Sequence, residues 1–289
     1  MYLPDFEYYA PDSVQEACQL KSQFGPRAQI ISGGTDIMHK MKIGALTPEI
    51  LISLKNLSDL KKIEYVPGKG VVIGARATHN DLVQSEILNK KYLSVSEAAH
   101  SMAAHQVRNI GTVGGNLINA VPSADLPPIF IALNASAKMV GVNGERVIPL
   151  EELFTGVCKT CCCGDELLTE IIIPDQKMTG STYIKFGLRR AGALAVAGVA
   201  VAVEVEKDII KDARVVLGAV YITPKRATET EDFLKGKKVS KELLAEAGAL
   251  SCTECKPISD IRGSAEYRQN LVQVLTKRAL RKAIDKGHV

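Results

Sequence analysis

No apolar run in this sequence reaches the roughly 18–20 residues that span a bilayer. The first residues, Met1-Tyr2-Leu3-Pro4-Asp5, have neither the basic stretch nor the apolar stretch of an export signal, which points to a cytoplasmic protein. Charge of one sign is also missing. Lys and Arg number 36 against 32 Asp and Glu, interspersed, for a net +4. Nothing there selects nucleic acid, and the basic stretch Arg268–Lys286 reads as the solvated or subunit-facing side of a helix. The seven cysteines are an odd number in a chain without an export signal, so a disulfide framework is not expected. Repeats and low-complexity stretches are absent. The 23 glycines and 12 prolines exclude a coiled coil, and 46% hydrophobic residues exclude disorder as the main state.

What is present reads as α+β in three units, over 1–60, 61–176 and 177–289. In the first, Ser13-x-x-Glu16 is a capping box that opens a helix ending at Gly25-Pro26. A strand over 28–31, the glycine turn Ser32-Gly33-Gly34-Thr35-Asp36 and a strand over 50–54 follow. The second unit has a strand over 70–75 and helices over 78–85 and 94–104. A second glycine turn, Thr112-Val113-Gly114-Gly115-Asn116, comes next. Asn143-Gly144 then signals a hairpin, and a strand over 168–173 stops at Pro174. In the third unit, strands over 183–188, 196–206 and 213–221 suggest an antiparallel meander, followed by helices over 228–234, 240–251 and 264–286.

The two glycine runs carry the chemistry. Paired glycines permit positive φ and close approach of a ligand, and successive N–H groups form a nest for anions. Thr35, Thr112 and Asn116 add side-chain hydrogen-bonding groups. Either run alone is an ordinary turn; two in adjacent α/β units are suited to the two ends of one diphosphate. Neither run fits the Rossmann or P-loop pattern.

Ser32-Gly33-Gly34-Thr35-Asp36 resembles the first FAD motif in the flavoprotein subunits of molybdenum hydroxylases, the xanthine dehydrogenase family. The run Arg108 to Leu117, with Pro122-Ser123-Ala124-Asp125-Leu126-Pro127, is similar to the second. Leu150 to Gly156, Glu166 to Ile171, Ser259-Asp260-Ile261-Arg262 and Tyr267-Arg268 match further landmarks in order. The resemblance implies a two-subdomain FAD-binding domain of the molybdenum hydroxylase/vanillyl-alcohol oxidase type, plus a C-terminal antiparallel sheet-and-helix domain.

Carried over residue by residue, it implies that Gln29, Ile30, Ile31, Ser32, Gly33, Gly34, Thr35 and Asp36 wrap the diphosphate and ribose. Thr112, Gly115 and Asn116 would continue the cradle, and Asp125 would accept from ribityl or ribose hydroxyls. Met102 and Leu168 would pack on the adenine side, and Lys185 would reach the flavin end, where a cation favours the reduced, anionic ring. Each has a plainer reading: Asp125 as a turn cap, Lys185 as a surface residue, Met102 and Leu168 as core.

The resemblance further implies an electron-transfer oxidoreductase subunit with FAD in this chain. Molybdopterin would lie in a large partner subunit and [2Fe–2S] clusters in a small one, NAD(P)+ or another acceptor would take the electrons, and the assembly would be a dimer of heteromers. Gly34-Thr35-Asp36 looks more like the purine and nicotinate-type hydroxylases than the carbon monoxide dehydrogenases. A free-standing FAD-dependent oxidoreductase of the same fold, or an FAD-binding assembly protein, is the alternative. No catalytic constellation stands out in the chain itself, and no histidine has metal-ligand spacing.

The cluster Cys158, Cys161, Cys162 and Cys163 departs from the family pattern. Four sulfurs within six residues suggest zinc, an iron–sulfur cluster or thiol exchange. Neighbouring cysteines diverge, however, and make poor ligands for one tetrahedral ion, so a structural role is the expectation. Cys252 and Cys255 at a helix end read as structural too.

Overall fold

A computed structural model describes residues 3–189 and 191–286. The chain runs β1 (Glu7–Tyr9), α1 (Val14–Phe24), β2 (Ala28–Ile31), α2 (Ile37–Lys42) and β3 (Ile50–Ser53) through its first unit. Ser13 caps α1 by accepting from the Glu16 N–H at 3.1 Å, as the capping box predicts. The three strands form a parallel sheet in the order β1-β3-β2. Ala17, Cys18, Ala28, Ile50 and Ile52 fill the small core between sheet and helix. β1 carries only three residues and no alternation visible in the sequence; its pairing with β3 makes it a strand.

The second unit contains β4 (Ile63–Val66), β5 (Gly70–Gly74), α3 (His79–Gln84), α4 (Glu86–Lys91), α5 (Leu93–His100), α6 (His105–Arg108), α7 (Val113–Asn119) and α8 (Leu126–Ala132). It continues with β6 (Ser136–Gly141), β7 (Gly144–Pro149), β8 (Phe154–Gly156), β9 (Lys159–Thr160) and β10 (Leu167–Ile173). An antiparallel sheet in the order β4-β5-β10-β6-β7 backs this helical layer. α8, buried along its whole length, fills the centre with Ile129, Phe130 and Ile131.

Two expectations are corrected here. The helix expected over 94–104 ends at His100, and Ala103 takes a positive φ of 44°. The second glycine run is not a turn: it is the start of α7. Thr112 caps that helix, accepting from the Gly115 N–H at 3.2 Å, and the glycines are inside it. Two adjacent glycines disfavour a helix by about 1 kcal/mol each, which hid it from the sequence. What places glycine there is crowding. A Cβ on Gly114 would stand 2.8 Å from Ala75 Cβ and 2.9 Å from its carbonyl oxygen.

The third unit is a meander of β11 (Gly180–Phe186), β12 (Ala197–Glu206), β13 (Ile209–Gly218) and β14 (Lys225–Arg226), all antiparallel. It is covered by α9 (Thr228–Leu234), α10 (Lys241–Thr253) and α11 (Ala265–Lys286). From Ala197 to Val203 β12 is buried on both faces, so that stretch is continuously apolar rather than alternating. Val199, Val201 and Val203 point into the core beneath α10 and α11, whereas Ala200 and Ala202 join the core of the second unit. The small side chains on that face let the two layers meet closely.

Candidate functional site

The first glycine run joins β2 to α2, and the second opens α7, directly after the link Asn109-Ile110-Gly111 from α6. Gly33 of the first run faces the Ile110-Gly111 link that leads into the second. A Cβ on Gly33 would overlap the carbonyl of Ile110 and lie 3.1 Å from Gly111 Cα, so the contact admits only glycine. Gly34 has φ +76°, the left-handed region, with the Ile31 side chain packed behind it. Asp36 ties the runs together from outside: its Oδ1 accepts from Asn119 Nδ2 at 2.9 Å, and Asn119 Oδ1 accepts from Lys40 Nζ at 2.9 Å.

Around this crossing lies a cavity of about 590 Å3. Of the residues singled out in the sequence, Gln29, Ile30, Ser32, Gly33, Gly34, Thr35, Asp36, Met102, Thr112, Gly115, Asn116, Asp125 and Leu168 line it. Ile31 and Lys185 do not. Ile31 supports Gly34, and Lys185 stands behind Asp125. The structure adds lining residues that no motif marked, among them Lys40, His79, Ala103, Cys158, Cys162 and the segment Gly192-Ala193-Leu194, and it brings in Glu166 from a landmark given no site role. They come from helices and loops remote in sequence, and only the fold brings them to the cavity.

Asp125 is 3% exposed. Its Oδ1 accepts from the Tyr183 hydroxyl at 2.9 Å and its Oδ2 from Lys185 Nζ at 2.6 Å, both carried on β11. Lys185 Nζ also donates to the Ser101 carbonyl at 3.3 Å. Burial pushes the Asp125 carboxyl above its usual range, and Lys185 and Tyr183 work against that shift. Burial beside the same carboxylate holds the Tyr183 phenol protonated. Gly198 on β12 clears the way for the ring, since a Cβ there would stand 2.6 Å from the Tyr183 hydroxyl.

At another part of the lining, Glu166 receives a two-pronged contact from Arg146, Nε to Oε1 at 2.7 Å and Nη2 to Oε2 at 2.9 Å, and the Cys163 N–H at 2.7 Å. These bonds pull its carboxyl down to about 2. The cysteines share no centre. Cys158 is exposed and lines the cavity; Cys161 and Cys162 pack against the core of the second unit, with Cys162 Sγ donating to the Glu166 carbonyl at 3.4 Å. Among the described residues no three His, Cys, Asp or Glu side chains converge as a metal site.

FAD fits this donor set. Buried polar atoms are normally paired, yet Ser32 Oγ and Asn116 Oδ1 have no partner. Both belong to lining residues, one from each glycine run. A ligand carrying phosphate oxygens and hydroxyls supplies the missing partners.

Family comparison agrees with the geometry. Residues 4–176 match the model of the FAD binding domain in molybdopterin dehydrogenase, and residues 182–283 match that of the CO dehydrogenase flavoprotein C-terminal domain. The chain is 35% identical over 284 residues to the carbon monoxide dehydrogenase medium chain of Hydrogenophaga pseudoflava, covering 98% of each chain. It is 34% identical over 280 residues to the nicotine 6-hydroxylase medium subunit of Paenarthrobacter nicotinovorans, covering 97% of this chain and 98% of that one. A solved structure of the Hydrogenophaga carbon monoxide dehydrogenase, in a form lacking the Mo-pyranopterin moiety, superposes with a TM-score of 0.95 at 35% identity over 99% of both chains. Two glycine runs crossing at one cavity and two family models in tandem lead to one conclusion: the chain belongs to the FAD-binding medium subunits of the molybdenum hydroxylases.

Proposed function

We propose that this chain is the electron-transfer subunit of a molybdenum hydroxylase, receiving electrons from [2Fe–2S] clusters of a small subunit and passing them to NAD(P)+ or another acceptor. The hydroxylation itself takes place at molybdopterin in a large subunit. The observation that carries the reading is the crossing of the two glycine runs at a cavity whose lining holds unpaired polar atoms from both. Bound there, FAD supplies a two-electron store that fills and empties one electron at a time or as a hydride.

The chain's own residues hold and orient. Gly33 and Gly34 bring backbone up to the diphosphate, with Ser32, Thr35, Thr112, Gly115 and Asn116 around it and Gln29 and Ile30 extending the wall. Met102 and Leu168 supply apolar contact. Asp125, fixed at both oxygens, is a rigid acceptor for cofactor hydroxyls, and Lys185 and Tyr183 hold it in place. A charge network braced this way is set before the cofactor arrives and costs no reorganisation when electrons do.

The substrate class we favour is an N-heterocycle, a purine or a nicotinate-like ring. Its support is the run Gly34-Thr35-Asp36. Overall identity gives no order, because relatives named for carbon monoxide and for nicotine stand at 35% and 34%. In the assembly we envisage two heteromers paired as a dimer.

The test is purification of the native complex. Denaturation should release FAD, identified by mass, and the complex should contain molybdenum and iron in stoichiometric amounts. Reduction by an N-heterocycle should bleach the flavin, and NAD(P)+ should restore its colour. FMN as the only flavin, or a native preparation without molybdenum and iron, overturns the reading.

A further inference from the structure

His79 belongs to neither glycine run, yet it lines the cavity. It is the first residue of α3 and 2% exposed. Its backbone N–H donates to the Gly111 carbonyl at 3.1 Å. The ring lies against Gly111, turning its Cδ2–Nε2 edge toward it: a Cβ on that glycine would stand 3.2 Å from Cδ2 and 3.4 Å from Nε2. The other nitrogen, Nδ1, is buried and has no partner. Of the seven buried side-chain polar atoms without a partner among the described residues, His79 Nδ1, Ser32 Oγ and Asn116 Oδ1 belong to this one cavity lining.

Burial, and behind it the charge of Arg108, pulls the imidazole down to about 4. At neutral pH the ring is therefore uncharged and carries one proton. On Nδ1 that proton would be a buried donor with no acceptor, the rarer and costlier kind of orphan. It belongs on Nε2, beside Gly111, which leads into the second glycine run and faces Gly33 of the first. A hydroxyl on Ser32 and an N–H on His79 thus come to this crossing from two different elements. A group that accepts from several directions and donates nothing answers both, and phosphate is such a group.

We propose that His79 is a binding residue for the FAD diphosphate, donating from Nε2–H to a phosphate oxygen. The inference rests on the FAD reading above.

The test uses the full chain stripped of cofactor and titrated with FAD, followed by flavin fluorescence. His79→Phe keeps a ring against Gly111 but has no N–H; it should weaken FAD binding about tenfold, a loss of about 1.4 kcal/mol. His79→Gln, which restores a donor, should recover part of the affinity. On the wild type, 15N-labelled histidine should show the His79 proton on Nε2 and a shift of that signal when FAD is added. Affinity of His79→Phe within twofold of a wild type that binds FAD overturns the proposal and leaves the FAD reading standing. So does a proton found on Nδ1, or an Nε2 signal unmoved by FAD, even where affinity falls, because the ring then only supports Gly111. A wild type without affinity for FAD overturns both. Where His79→Phe fails to fold, the wild-type spectrum decides alone.

Discussion

Lys185 Nζ lies 2.6 Å from Asp125 Oδ2, with side chains only 10% and 5% exposed. The lysine expected at the flavin end thus meets the cavity through a carboxylate. Removing one member of a buried ion pair strands the other, at a cost of about 3–5 kcal/mol. Lys185→Met should therefore lower stability by about that amount, read from urea denaturation, and Lys185→Met with Asp125→Asn should recover most of it. The loss depends on pH. Without the lysine the Asp125 carboxyl rises further, so the folded state binds its proton more tightly than the unfolded chain does. Stability of the variant then falls as pH climbs from about 4, the unfolded value, through the raised folded value. The deficit is smallest in acid.

Gly33 and Gly115 differ in what they tolerate. A methyl on Gly33 would overlap the Ile110 carbonyl, whereas on Gly115 it would meet only Thr112 Oγ1, at 3.0 Å. Gly33→Ala should push the two runs apart, cost about 1–3 kcal/mol as overpacking does, and abolish FAD retention. Gly115→Ala should leave the melting temperature within a few degrees. Flavin content per chain, measured beside Tm, separates the two, and equal flavin content would break the assignment of the crossing as the cradle.

The Arg146–Glu166 contact gives an acid signature. A folded pKa of about 2 lies below the unfolded carboxylate value, so the contact stabilises above about pH 4.5 and its contribution is lost as pH falls toward 2. The Arg146 side chain is 40% exposed, and solvent screening limits the contribution to about 1 kcal/mol. Glu166→Gln should be less stable by about that amount at pH 7, with the gap closing steadily below pH 4.5.

Thiol labelling should sort the cysteines. Cys158 is exposed, while Cys18 and Cys255 are buried and burial pushes both thiols up to about 11. Cys162 is pushed up to about 12 by burial and by Glu166. Iodoacetamide at neutral pH should modify Cys158 well before Cys18, Cys162 and Cys255, as read by peptide mass spectrometry. Because Cys158 lines the cavity, saturating FAD should slow its modification.

The elements that the sequence announces are those with local causes. Ser13 with Glu16 starts α1, Asn143-Gly144 turns β6 into β7, and apolar runs mark the meander. What stays hidden has non-local causes. β1 and β4 are short strands that exist through their pairing with β3 and β5. α7 forms against the helix preference of Gly114 and Gly115 because Thr112 caps it and Ala75 leaves no room for a side chain. The part of the cavity lining that was legible is the part the family motifs name. Asp125 meets Tyr183 and Lys185 across 58 and 60 residues, and no spacing rule connects them. His79 stands in no glycine run and became visible only as a buried nitrogen without a partner.

Near its end α11 reaches back to α5. Lys286 Nζ donates to Glu97 Oε2 at 2.9 Å across 189 residues, and Lys282 does so at 3.4 Å. α5 leads directly into Ser101, Met102 and Ala103, the first of which accepts from Lys185 while the other two line the cavity. On the ribosome, α5 emerges long before the helix that braces it, and β11, which supplies Tyr183 and Lys185, also follows it. The Lys185, Lys282 and Lys286 contacts to this wall therefore come from elements that follow it in the chain. The cavity thus draws on residues far apart in the chain, and a chain that has not yet reached α11 lacks this brace.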